Sequence, residues 1–417
     1  MSITRRGFAA VAGAAALLRT TAARAETVLK QIWIGWPDEQ IRPMVEAFEK
    51  SAPDIKAPYE RIPFAELSHA LEVRLGARTP EPDIYSCDSP LTASYAIRNQ
   101  AMALDDVLDR TRFARAALDA ATYKGKLYSA PFATSSQLLF YNRALFRQAG
   151  VEPPAADVSK RWTWDQVVQA GRKLADPAKN QWGLILEQAE RPYQLLPFGQ
   201  SLGGVALGED GLKAGGYLDG PAFVEGFSFL QRLYTDFKIA PPGVVDNNIT
   251  PDLFGTGRTA MFIGGTWNLD TFPAKYKDLD FGVAPHPCFA QGKPVTPTGS
   301  WHFAVNPRTQ NRDAAARFIR FMTSDDLQVM WFGLRPYVPV LLSTWDRLPQ
   351  VFDTPAWRIV RYEVSNTAVP RPATPGFLEF EDLLRQTLRD LQSGGDVKQM
   401  LTQTAQKIDR ELQKYKS

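Results

Sequence analysis

The residues best suited to chemistry are three tryptophans, each beside an apolar run and next to small polar or acidic side chains. Trp36 closes VLKQIWIGW (28–36) and precedes Asp38 and Glu39; Trp267 closes AMFIGGTW and precedes Asn268; Trp301 follows Ser300. A sugar presents apolar C–H faces and a ring of hydroxyls. Indole covers the first, while Asp, Asn and Ser hydrogen-bond the second. Asp88 and Ser89 supply such groups after the strand-like DIYS (83–86). In open α/β sheets, ligands bind outside the carboxyl ends of strands. Taken singly, each residue also has a plain structural reading, as a core tryptophan, a turn residue or a helix cap.

Other chemistries leave little trace. GTGRTA (255–260) fits the loosest dinucleotide fingerprint, but that motif needs a strand before the glycines and a helix after them. Here the apolar AMFIG follows the glycines, and no Lys-Ser or Lys-Thr comes next to build a phosphate loop. The chain holds no H-E-x-x-H. Three scattered histidines (69, 286, 302) and two cysteines make no zinc spacing, so neither metal nor cofactor is expected. Cys87 and Cys288 either pair or stay free. A glycosidase needs only two carboxylates, which sequence alone does not pair, so that class stays open.

The first 25 residues read as an export signal: Arg5-Arg6, a short apolar segment from Phe8 to Leu18, and Ala23-Arg24-Ala25 at the exit. The twin arginine favours the route for folded cargo, with a Sec-type signal as the alternative. The segment is shorter than the ~20 residues a membrane span needs. Cleavage is expected after Ala25. Removing its four arginines from the 48 basic residues leaves 44 against 45 acidic ones, net −1 instead of +3. No basic excess remains for nucleic acid, and no Lys/Arg run marks a membrane surface.

The elements that must position these residues alternate. Ile41, Met44, Val45 and Phe48 fall on one helical face after the first strand, and Phe64, Leu67, Leu71 and Leu75 repeat the spacing before DIYS. That β-α-β order implies a parallel sheet covered by helices. Thr163-Trp164-Asp165-Gln166 reads as a capping box opening a helix to about Ala175. APFATSSQLLFY (130–141) is small and polar, then strand-like; FGVAPHP (281–287) and FAVNP (303–307) are further strands, and a helix follows over 314–324. AVPRPATPGF (368–377) is a rigid irregular segment, and two amphipathic helices end the chain. About 390 residues after the signal exceed what one core usually serves, so two domains are expected.

Three longer motifs carry a resemblance. KLYSAPFATSSQLLFYNRALFRQAGVEPP with WTWDQV, then LFGTGRTAMFIGGTW, then TGSWHFAVNPRTQNRDAAARFIRFMTS, in that order, resemble the signatures of the extracellular solute-binding proteins of carbohydrate ABC transporters, the maltose-binding-protein-like family. The resemblance covers residues 26–417. It implies an α/β, two-lobed periplasmic binding protein fold of type II, with discontinuous lobes (26–134 with 285–324, and 135–284 with 325–417) joined by a hinge crossed three times, near 133–136, 283–287 and 323–326. It implies a monomeric, non-enzymatic periplasmic receptor that delivers a saccharide to a membrane permease. Site roles implied residue by residue fall on Trp36 and Asp38, Asp88, Tyr193, Trp267, and Ser300 with Trp301; Tyr337 lies near a further aromatic position. Ser135, beside Ser136 at the hinge, stands where maltose-binding protein carries a glutamate. Arg371 is added from its place in the rigid 368–377 segment. The missing hinge acid and Arg371 favour, as an alternative, an anionic glycoside or a glycerol phosphodiester. The glycines of GTG then become a turn feeding a strand, and Gly264-Gly265 let the backbone approach ligand.

Overall fold

The computed structural model describes residues 26–416; the expected export segment, 1–25, lies outside them. Two separate sheets organise the chain. In the first, Gln31–Ile34 lies parallel to both Tyr59–Ile62 and Ile84–Asp88. Helices Asp38–Ser51 and Phe64–Gly76 make the crossovers. The other three strands, Ser300–Val305, Ala130–Thr134 and Val338–Pro339, add antiparallel. The sheet is therefore mixed, where the β-α-β order alone implied a parallel one. Helix Asp38–Ser51 buries Ile41, Met44, Val45 and Phe48 as their spacing predicts. Helix Phe64–Gly76 buries Leu67, Leu71 and Leu75, but Phe64 stays 45% exposed in the first turn.

The second sheet has the order Trp182–Leu186, Thr259–Gly265, Gln137–Asn142, Phe281–Pro285. Successive side chains of a strand point to opposite faces, and both faces are covered. Leu139, Tyr141, Met261 and Ile263 join one apolar cluster, while Leu138, Phe140 and Phe262 join another with Phe254 and Phe272. That two-sided burial explains the unbroken apolar runs QLLFY and AMFI. GTG is a turn, as expected: the helix Thr250–Gly255 ends there, Gly257 takes a positive φ of 74°, and the strand begins at Thr259. The strand follows the glycines, so no helix N-terminus faces a phosphate.

The chain passes from the first sheet to the second over Ser135-Ser136 alone, and returns between Pro285 and Ser300. Two expected boundaries shift. Residues just after 285 pack with the second sheet's helices: Cys288 bridges to Thr163, and Phe289 packs on Phe198 and Phe229. Helix Asp325–Leu334 packs against Asp38–Ser51, and Val338–Pro339 joins the first sheet, so the third crossing follows Pro339 rather than 323–326. The 368–377 segment is pinned at its start, where Ala368–Val369 pairs in parallel with Thr296–Pro297. Cys87, on an inner strand of the first sheet, and Cys288 are both free. Among the described residues no helix is long and apolar enough to cross a membrane, and no cluster of potential metal ligands occurs.

Candidate functional site

A cavity of about 410 Å³ opens between the two sheets and draws its walls from both. On the first-sheet side stand Trp301, Tyr337 and Phe64, with Asp88 at the end of its strand. Phe64 meets Trp301 edge to face at 5.8 Å, which explains why a helix residue with core-like spacing remains exposed. Trp36 touches the cavity but is only 5% exposed, with its ring 4.7 Å from Trp331 and 5.8 Å from Tyr337. It is chiefly the packing behind the wall. Tyr337 stacks on Trp331 with 9° between planes, so its ring has little freedom to turn.

The opposite wall carries Tyr193 and Trp267, and its organiser is Glu187, one residue past the strand Trp182–Leu186. Glu187 is 4% exposed and accepts four hydrogen bonds. One oxygen takes Trp267 Nε1 at 2.7 Å and Asn268 Nδ2 at 3.0 Å; the other takes the Gly265 backbone N–H at 2.8 Å and Gln194 Nε2 at 3.3 Å. Burial pushes its carboxyl above the usual range, against the pull of these donors. The bonds fix the indole plane. Gly265 has a second reason to lack a side chain, because a Cβ there would lie 2.1 Å from the Trp267 ring. A side chain at Gly265 would therefore displace the indole.

At the hinge, Ser135 Oγ lies 3.1 Å from the Tyr193 hydroxyl and accepts the Gly299 N–H at 3.2 Å. Arg371 crosses from the 368–377 segment to the first sheet and donates two hydrogen bonds to the two carboxylate oxygens of Asp88. The side chains are 9% and 17% exposed, so this is a largely buried, bidentate ion pair. Burial works against the Arg371 charge, but Asp88 outweighs it and the guanidinium holds its proton more firmly than usual. The guanidinium also lies over the Tyr193 ring at 5.2 Å.

Of the residues singled out in the sequence, the structure thus brings Trp36, Asp88, Ser135, Tyr193, Trp267, Asn268, Trp301, Tyr337 and Arg371 to one cavity. Ser300 is placed by its backbone opposite Thr134, between the cavity residues Gly299 and Trp301. Four others do not line it. Asp38 is taken by the Tyr59 hydroxyl and Arg42, which hold its carboxyl below the usual range. Glu39 is exposed in the same helical turn. Ser89 is buried in the turn Ser89–Leu91, and Ser136 is buried with its carbonyl accepting the Thr266 N–H. Asp38 and Glu39 lie in the first turn of the helix Asp38–Ser51 with no capping bond, Ser89 in a short turn and Ser136 at the hinge. Glu187, Gln188, Arg191, Arg335 and Glu381 line the cavity without having been singled out. A strand-exit signal was present for Glu187, as for Asp88, and Arg191 directly precedes Pro192-Tyr193.

Two α/β lobes, a short hinge and an aromatic-walled cavity between them define a two-lobed receptor. The model of the bacterial extracellular solute-binding protein family matches residues 36–329, and the chain belongs to that family. It is similar to a maltotriose-binding protein of Pyrococcus abyssi, 27% identical over 72% of this chain and 62% of that one. It is also similar to a galactooligosaccharide-binding protein of Bacillus subtilis, 24% identical over 89% and 87% of the two chains. Its fold matches a solved ABC substrate-binding protein of Listeria monocytogenes, with a TM-score of 0.81 at 23% identity over 93% and 99% of the chains.

Proposed function

We propose that this chain is the substrate-binding component of an ABC importer: exported to the periplasm, it takes a mono- or oligosaccharide into the cleft and presents the closed form to a membrane permease as a monomer. The observation that carries the reading is that aromatic side chains from both sides line one cavity, Trp301 and Tyr337 on one and Tyr193 and Trp267 on the other. Rings on both sides cover the C–H faces of a sugar, and the ordered groups between them meet its hydroxyls. The relatives support it, being named for maltotriose and galactooligosaccharide binding. Binding and closure are the whole activity; no bond is made or broken. Ligand touching both lobes stabilises the closed state by its differential affinity for it.

The test is thermal unfolding and calorimetry of the exported protein against a saccharide panel. A ligand at 100 times its dissociation constant adds about 2.7 kcal/mol of stability. No shift with any saccharide, or turnover of one, refutes the reading.

A further inference from the structure

Most polar groups that line the cavity are already committed within the protein. Glu187 is saturated by four donors, Asn268 gives its amide to Glu187 and to Gly265, Asp88 is held by Arg371, and Ser135 is held by Gly299 and Tyr193. A ligand gains little by competing for such bonds. Arg335 and Arg371 leave only a buried Nε without a partner, whereas two charged side chains are wholly uncommitted. Arg191, at the N-cap of the helix Pro192–Leu195, has its guanidinium 5.1 Å over the Phe64 ring and makes no hydrogen bond or ion pair through it among the described residues. Glu381, in the helix Phe377–Leu391, faces the same cavity and has no hydrogen bond or ion pair at its carboxylate among the described residues. The two are within each other's electrostatic reach, with Arg371 also acting on Glu381.

Resting on the receptor reading above, we propose that Arg191 and Glu381 are the specificity-determining pair of the cleft and that its ligand is a short, uncharged saccharide. A free carboxylate accepts two hydroxyl protons and a free guanidinium donates to hydroxyl or ring oxygens, so together they match an edge of adjacent hydroxyls. Charge and size point the same way. The cavity is lined by Asp88, Glu187 and Glu381 against Arg191, Arg335 and Arg371, three of each sign, so no net positive charge awaits a phosphate or sulfonate. Arg371, the residue that favoured an anionic ligand, is neutralised by Asp88. A volume of about 410 Å³ lies toward the small end of the ~300–1,000 Å³ range of small-molecule sites, which favours a short ligand over a long chain.

The experiment is isothermal titration of wild-type protein, Arg191→Met and Glu381→Gln with glucose, galactose, mannitol, maltose, lactose, trehalose and maltotriose, and with glucose 6-phosphate and trehalose 6-phosphate. Wild type is expected to bind one neutral member at least about tenfold more tightly than either phosphate, and each substitution to weaken that binding at least about tenfold. Thermal unfolding of the free variants is expected to match wild type. The selectivity should move in opposite directions, since Glu381→Gln leaves an excess positive charge and raises relative affinity for the phosphates, whereas Arg191→Met lowers it. A merely structural role for either residue moves both affinities together. Wild type that prefers a phosphate, or variants that bind the neutral sugar like wild type or shift selectivity in the same direction, overturn the inference while leaving a receptor in place. Wild type that binds no member of the panel, neutral or phosphorylated, removes the receptor reading and the inference with it.

Discussion

Replacing Glu187 by alanine should both destabilise the second lobe and weaken ligand binding, in amounts the hydrogen bonds allow to be worked out. Four N–H donors lose their acceptor. The Asn268 amide keeps the Gly265 carbonyl at 3.1 Å, and the Trp267 residue is only half-buried, so its freed ring can turn its N–H to water. That leaves the Gly265 N–H and the Gln194 amide inside the protein. An orphaned buried donor costs about 1–3 kcal/mol, so the loss is about 2–6 kcal/mol, nearer the lower figure if water fills the space. At roughly 2–4 °C per kcal/mol for a large domain, Tm falls on the order of 4–24 °C, toward the lower end if water fills the space. Freed from its only side-chain hydrogen bond, the indole must be ordered again by ligand. Ordering a side chain at an interface costs about 0.5–1.5 kcal/mol, hence a Kd two- to tenfold higher. Glu187→Gln keeps the shape but turns an amide NH2 toward donors, so it should fall between the two. Scanning calorimetry, sugar titration and tryptophan fluorescence measure the three effects. If Glu187→Ala keeps its Tm within about 1 °C and its affinity within twofold, the carboxylate does not position the indole and the account of this wall is wrong.

Trp267→Ala should weaken saccharide binding at least tenfold, about 1.4 kcal/mol, with the fold intact; an unchanged calorimetric affinity removes Trp267 from the site. Asp88→Asn or Arg371→Met should each destabilise by about 3–5 kcal/mol because one buried charge is left alone, while the double substitution costs less than either single one. Additive losses in chemical denaturation would contradict that coupling. Burial holds the His286 and His302 imidazoles down at about 3, against ~6.5 in the unfolded chain. Both stay neutral in the fold, so their share of stability is complete above about pH 6.5 and is lost as pH falls toward 3, about 2 kcal/mol per ring by pH 5. His302→Gln should flatten the acid side of the stability curve by one ring's share; an unaltered slope speaks against it.

The fold was legible wherever one physical signal acted alone. The Thr163–Gln166 capping box forms with both of its hydrogen bonds, and Ile41, Met44, Val45 and Phe48 are buried as their spacing requires. Legibility failed where tertiary pairing decides. A strand of two residues, Val338–Pro339, has no periodicity to detect, yet it extends the first sheet and carries the third crossing past its expected place. Likewise APFATSSQLLFY reads as one small polar stretch running into a strand. It is two strands of two sheets, and the break at Ser135-Ser136 is the hinge itself.

The site shows a different limit. Tyr193, Trp267, Trp301 and Tyr337 were found from sequence because a ring's role follows from its face, although Trp36 packs behind the wall and Phe64 read as core. Polar residues were named for what their atoms can do, and that capacity is spent before a ligand arrives. Asp88 and Arg371 each looked like a ligand contact, but they pair with one another across the cleft. Asn268 looked like a sugar donor, but it steadies the carboxylate that steadies Trp267. Arg191 and Glu381 sit in stretches with no motif of their own, AERPY and EFEDL, and only the folded chain leaves them unclaimed at one cavity. Preorganisation explains both halves of this pattern. A wall whose rings are held by internal hydrogen bonds loses little freedom on binding, so a few free groups at its edge decide which ligand is held.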